Sequence, residues 1–239
     1  MDELVEAVWP TYYVNHSVGM NRWHSVIMKE YADCQIAILD DGDAMLAVVN
    51  CLPLYFDGTA GDLPESGWDG LVESGMLAHQ RGLAENVMMA MAVSVHKEQK
   101  GRRLSYLGLK TMKALGAKRG FQDLYAPVRP SMKSLYPLLP MKDYLQWRRD
   151  DGSLFDPWLR VHHKLGAEII KVCPESMRVE TTVESWERDT GVQFKQSGQY
   201  VLADALCPIE IDIEADRGTY LEPNVWMHHK IQPVDAELF

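Results

Sequence analysis

The stretch from Met88 to Gly116 constrains this chain more than any other. A short, largely apolar run, Met88 to Val95, has the length of a buried strand. A basic turn follows: His96, Lys97, Gln99, Lys100, Gly101, Arg102 and Arg103. Leu104, Leu107, Gly108, Leu109, Thr111, Met112 and Leu115 then recur at helical spacing, and Gly116 stands where a helix often stops. The first backbone N–H groups of a helix have no internal partner, and the helix dipole adds partial positive charge there. Strand, basic loop and helix start therefore offer a place for a phosphate. Spacing alone leaves a second reading open, a solvated basic turn between two core elements.

The rest of the composition limits what that anion site can serve. The 239 residues are ample for one core and leave room for two small domains. Apolar residues make up 46%, so the chain is globular. The formal net charge of −10 argues against a general nucleic-acid binder and suits a cationic substrate. No run approaches the roughly 20 apolar residues of a membrane span, and MDELVEAVWP has no signal-peptide pattern. Cys34, Cys51, Cys173 and Cys207 lie far apart without CxxC pairing, which points to neither zinc nor a disulfide framework and fits a reducing cytoplasm.

In chain order, Tyr12-Tyr13-Val14 reads as a first edge strand. Gln35 to Leu39 and Ala44 to Leu52 read as a hairpin across Asp40-Asp41-Gly42-Asp43, a cluster without calcium-loop spacing. A Gly- and Pro-rich connection from Leu52 carries a short helix in Trp68 to Arg81. Asp123 to Val128 reads as a strand parallel to Met88–Val95 in a right-handed βαβ unit. Residues 129–154 form an insertion with an aromatic and basic patch (Tyr136, Tyr144, Trp147, Arg148, Arg149) that either covers a ligand or is an ordered surface segment. Asp156-Pro157 is a strong helix start and Gly166 its stop, followed by a strand in Glu168 to Val172. Thr181 to Glu187 caps a short helix, and Tyr200–Ala203 and Ile209–Ile213 alternate like strands.

Lys100-Gly101-Arg102-Arg103-Leu104-Ser105 resembles motif A of the GCN5-related N-acetyltransferase (GNAT) superfamily, [Q/R]-x-x-G-x-[G/A], with Arg103 at the usual Gly and Ser105 at the second small residue. Asp156 to Ala167 resembles motif B of the same superfamily, with His162 four residues before Gly166 where the family has Tyr. The resemblance spans about residues 35–172 and implies an α/β fold: a mixed, mostly antiparallel sheet with two splayed parallel strands, flanked by helices. Residues 1–172 would form the acyl-CoA-binding core, and 173–239 an extension that completes the sheet in the same domain.

The resemblance also implies the chemistry. Acetyl-CoA or another acyl-CoA would be a substrate, with no metal. Lys100, Gly101, Arg102, Arg103, Leu104 and Ser105 would hold its pyrophosphate, and Val93 and Val95 its pantetheine amides. Asp156, near the family's pantetheine-binding Asn, would touch the same arm. His162 would protonate the leaving thiolate, and Glu85, just before the central strand, is the expected base. His228, His229 and Glu222 offer a metal cluster or a second base, and adjacent histidines on a strand point to opposite sides, which weighs against a shared metal. The expected activity is acyl transfer to a small amine or amino-acid-like acceptor. A CoA-binding sensor without turnover and a thioester decarboxylase are the alternatives. The extra segments would enlarge the acyl pocket or build a homodimer.

Overall fold

In the computed structural model, the described residues are Leu4, 8–99 and 101–238. Among them, eight strands form one sheet: β1 (Gln35–Leu39), β2 (Met45–Leu54), β3 (Val87–Val95), β4 (Asp123–Val128), β5 (Glu168–Thr181), β6 (Gly198–Tyr200), β7 (Ile209–Asp212) and β8 (Arg217–Lys230). The order is β1-β2-β3-β4-β8-β7-β6, with β5 on the other edge of β8. Every pairing is antiparallel except β3 with β4.

The acidic cluster is the β1–β2 turn. Asp40 Oδ1 accepts from the N–H groups of Gly42 (2.9 Å) and Ala44 (3.0 Å). This is the local side-chain bond for which Asp is favoured in turns.

Helices α1 (Thr11–His16), α2 (Val18–Glu30), α3 (Gly67–Gln80), α4 (Leu104–Lys118), α5 (Met141–Tyr144), α6 (Pro157–Lys164) and α7 (Val183–Thr190) flank the sheet. Helix α4 joins β3 to β4 and lies close to β2 and β3. A Cβ on Gly108 would stand 2.9 Å from Val49 Cγ2 and 3.2 Å from Val93 Cγ1, so a residue without a side chain is what permits this approach.

The expected edge strand at Tyr12-Tyr13-Val14 is helical instead. Tyr13 N–H donates to Pro10 O at 2.9 Å, and both rings turn inward, Tyr12 onto Trp186 (5.1 Å between centroids) and Tyr13 edge-on to Tyr220. The strand preference of aromatic and β-branched residues reports how well they pack, and here the packing is met from a helix. The boundary expected at residue 172 falls inside β5, which pairs with β8 from Glu168 to Thr181. The last long strand thus lies in the interior of the sheet, with Trp226 and Tyr220 fully buried.

The insertion turns its aromatic residues toward the body of the protein. Tyr136, Trp147 and Phe155 meet edge-to-face at 4.7 and 5.2 Å. Among the described residues no helix is long and apolar enough to cross a membrane.

Candidate active site

The loop after β3 has the geometry of an anion cradle. A 3-10 turn spans Lys97–Gln99, Gly101 has φ +87° and Arg103 has φ +59°. Arg103 thus takes a left-handed conformation that Gly adopts more readily. Among the described residues no side chain caps the start of helix α4 at Leu104, and its first N–H groups have no intrahelical partner. Leu104 anchors the start by burial, while Arg102 and Arg103 are exposed, and Arg102 Nη1 donates to Gln99 Oε1 at 2.7 Å. Lys100 lies outside the described residues.

Beside this cradle the two parallel strands part. β3 and β4 pair only at Met88–Leu124 and Met89–Tyr125. Beyond that, β3 keeps its β2 partner on one edge and, among the described residues, has none on the other. His96 N–H donates to Leu46 O at 3.0 Å, and this sets the alternation along the strand. Residues 94 and 96 turn their backbone groups toward β2, whereas Val93 and Val95 turn theirs to the open edge. Asn50 pairs with Ala92 and Cys51 with Ala90, so Met91 is the extra residue of a β-bulge at the mouth of the gap.

The sheet face opposite α4 carries a cavity of about 500 Å³. Its floor is Gln35, Asn50, Ala92 and Ser94, which are cross-strand or alternate neighbours on β1–β3. Helices α1 and α2 roof it with Tyr13, Met20 and Ile27, and α3 and β5 add Trp68 and Met177. Trp9 closes one side, its indole N–H donating to Ser94 Oγ at 3.0 Å. Asn21, His24 and Ser25 line it while exposed, which puts them at the opening. A cavity of this size lies within the range of small-molecule sites.

Comparison with known proteins fits this geometry. No family model matches the chain. It is 27% identical over 253 residues to the arginine N-acetyltransferase avaD of Aspergillus versicolor, covering 95% of this chain and 87% of that protein. The loading GNATL domain of CurA from Lyngbya majuscula superimposes with a TM-score of 0.58 at 17% identity, over 97% of this chain and 91% of that one. The GphF GNAT-like decarboxylase in complex with isobutyryl-CoA gives 0.57 at 14% identity, over 96% and 92%. The chain has the GNAT fold, and its similarity to an N-acetyltransferase runs over nearly its whole length.

Within that fold, several residues expected at the site have protein partners of their own. Glu85 precedes β3 and accepts from the Tyr31 hydroxyl at 2.9 Å, in a group with His79 and Glu30. It is six residues from the bulge, up to about 20 Å along an extended chain, and belongs to the far end of β3. Asp156 is 1% exposed. Its carboxylate accepts from the N–H groups of Met132, Trp158 and Leu159 and from the Tyr144 hydroxyl, all between 2.9 and 3.1 Å. Those donors use the lone-pair sites of a carboxylate, so Asp156 caps α6 and ties down the insertion and has no capacity left for a pantetheine arm.

His162 is likewise buried, with Nδ1 2.9 Å from His229 Nε2 and Trp158 edge-on to its ring. Burial, and then the His229 ring, push its pKa well below the ordinary imidazole range. It stands as a neutral ring at neutral pH and has no imidazolium proton to give. The neighbouring His228 turns to Asp123 Oδ1 at 2.7 Å, so the two adjacent histidines serve separate partners.

The sequence reading missed the cavity floor. Gln35 and Asn50 are polar residues inside apolar strands, which was the available signal. That they face one another, and face α2, follows only from strand register.

Proposed function

We propose that this chain transfers an acyl group from acyl-CoA to a primary amine by direct attack within a ternary complex. The observation that carries the reading is one strand serving two sites. The unpaired edge of β3 opens toward the uncapped start of α4, and the intervening residues of the same strand, Ala92 and Ser94, floor the cavity.

In this arrangement the pyrophosphate sits on the N–H groups of Leu104 and Ser105, with Gly101 letting the loop turn and Arg102 and Arg103 supplying charge. The pantetheine amides pair with Val93 and Val95 as an added strand would. That puts the thioester at the bulge, where a backbone N–H of β3 can stabilise the developing oxyanion. The amine enters from the cavity, and holding both reactants at one place supplies much of the rate. The attacking nitrogen must shed a proton. His24 is the imidazole at the cavity mouth and takes the role first sought in Glu85. The enzyme is read as cytosolic, its cysteines being free thiols.

Thermal unfolding with CoA, acetyl-CoA and longer acyl-CoAs tests the first half. A ligand bound only by the folded state stabilises it by about 2.7 kcal/mol at a hundredfold excess over its dissociation constant. Amine-dependent release of free thiol tests the second. Absence of a shift with every CoA species would remove the reading. A shift without thiol release would leave a sensor, and CO2 release from malonyl-CoA without an amine would leave a decarboxylase.

A further inference from the structure

The cavity wall specifies an acceptor more closely than the fold does. Gln35 Nε2 donates to two backbone carbonyls, Tyr31 O at 3.0 Å and Cys51 O at 3.2 Å. Both N–H groups of that amide are spent, so its Oε1 must be the atom that faces Asn50, and it accepts from Asn50 Nδ2 at 2.8 Å. This fixes the Asn50 amide in turn. Its nitrogen is held by Gln35, and its Oδ1 has no protein donor among the described residues. Asn50 lines the cavity and pairs directly with Ala92, one residue from the bulge at Met91. A fixed acceptor oxygen therefore stands beside the point where the thioester carbon is expected.

The remaining wall is apolar or uncharged. Aromatic rings of Trp9, Tyr13 and Trp68 and thioethers of Met91 and Met177 dominate it. Among the described lining residues there is no Asp, Glu, Lys or Arg. Inside the mouth, where His24 stands, a carboxylate taken into such a cavity loses its water and meets no Lys or Arg among the described lining residues. An ammonium group does find partners there, a carbonyl oxygen and the faces of aromatic rings.

We propose that the acceptor is a primary amine on an aromatic or alkyl body without a free carboxylate, and that Asn50 Oδ1 holds its N–H at the bulge. An amino acid with its carboxyl tied up as an amide or ester belongs to the same class. The assignment rests on the acyl-transfer reading above and adds the acceptor to it. It also separates this chain from the relative described as an arginine N-acetyltransferase, since free arginine carries the carboxylate this cavity does not accommodate.

The test uses the full chain with acetyl-CoA and thiol release as readout. The acceptors are phenethylamine, phenylalanine amide, phenylalanine and arginine. The expected result is a kcat/KM for the first two at least about tenfold above that for the free amino acids, the scale of one unpaired buried charge. Asn50→Leu should raise KM for phenethylamine by about 10- to 100-fold, with KM for acetyl-CoA unchanged. Asn50→Ser, which restores an acceptor oxygen, should recover part of that loss. Unfolding midpoints of both variants check the fold, and the acceptor panel does not depend on them.

Free phenylalanine or arginine turned over as well as the uncharged analogues would overturn the assignment, as would an unchanged amine KM in a folded Asn50→Leu. If acetyl-CoA binds and no amine in the panel reacts, the acceptor class falls. If acetyl-CoA does not bind at all, the acyl-transfer reading falls first and this one with it.

Discussion

Arg129 and Glu222 bring opposite charges together in the core, where a residue's neighbours matter more than its type. The Glu222 side chain is fully buried, and its oxygens accept from Arg129 Nε, the Tyr220 hydroxyl and Asn224 Nδ2, each at 2.9 Å. Arg129 also donates to the carbonyl of Asp204. Burial works against the charge on Arg129, but Glu222 and the hydroxyls of Tyr13, Tyr220 and Tyr12 together outweigh it and hold the guanidinium still more firmly charged. Removing one member strands the other charge, so Arg129→Met should lower the unfolding free energy by roughly 3–5 kcal/mol. The double variant Arg129→Met/Glu222→Leu should recover much of it. Urea unfolding reads both, and a single-variant cost under about 1 kcal/mol would show a solvated, expendable pair. The sequence offered Glu222 beside His228 and His229, as a titratable group. Its true partner is 93 residues away, and nothing local in the chain announces such a contact. The surroundings of Glu85, Asp156 and His162 were hidden for the same reason, their partners being Tyr31, Tyr144 and His229. The turn and helix start at Gly101 to Ser105 were legible as geometry because adjacent residues make it.

Elements with local signals were read well. Asp156 caps α6 as its sequence implies, and the turn at Asp40 closes its hairpin. β8 was seen only in fragments because Gly218 and Pro223 interrupt its pattern. Pro223 is tolerated where β5 slips register between Cys173 and Met177, so the missing N–H breaks no ladder bond there. The start of α3 carries a different conflict. Asp69 Oδ2 accepts from Arg178 N–H at 2.8 Å, while Oδ1 is buried against Gly19 without a hydrogen bond. Desolvation raises its pKa to about 6, opposed by the bond from Arg178. Between about pH 4 and 6 the folded chain then keeps a proton that the unfolded chain has released. The contribution of Asp69 to stability is therefore highest below pH 4, declines as pH rises to 6, and stays low above it. Replacing it by Asn abolishes that titration. The stability of Asp69→Asn relative to the native chain should climb in favour of the variant from pH 4 to 6 and then level off. Urea midpoints across pH 3.5–7.5 measure it, and a flat difference would mean that Asp69 titrates as an ordinary carboxylate.

At the scale of the whole molecule, a protein of formal net charge −10 is proposed to bind a polyanion. The long-range field opposes that encounter, so attraction must come from fixed groups at short range. The cradle supplies them as exposed Arg102 and Arg103 beside the uncapped start of α4. Both side chains reach solvent, so their loss should leave the fold intact, whereas the backbone donors depend on the loop conformation. Arg102→Glu/Arg103→Glu should therefore weaken acetyl-CoA binding by about tenfold or more without moving the unfolding midpoint of the free protein. Salt separates the two kinds of interaction. The Debye length falls from about 10 Å at 0.1 M to about 3 Å at 1 M. In the native chain, salt then weakens the arginine–phosphate attraction and raises the dissociation constant. In the doubly reversed chain, the local and global charges both repel, and the same salt should lower it. Titration calorimetry at two ionic strengths gives this sign directly. Opposite signs would locate the cofactor's phosphates at this loop. The same sign in both proteins would place the phosphates elsewhere on the sheet's rim.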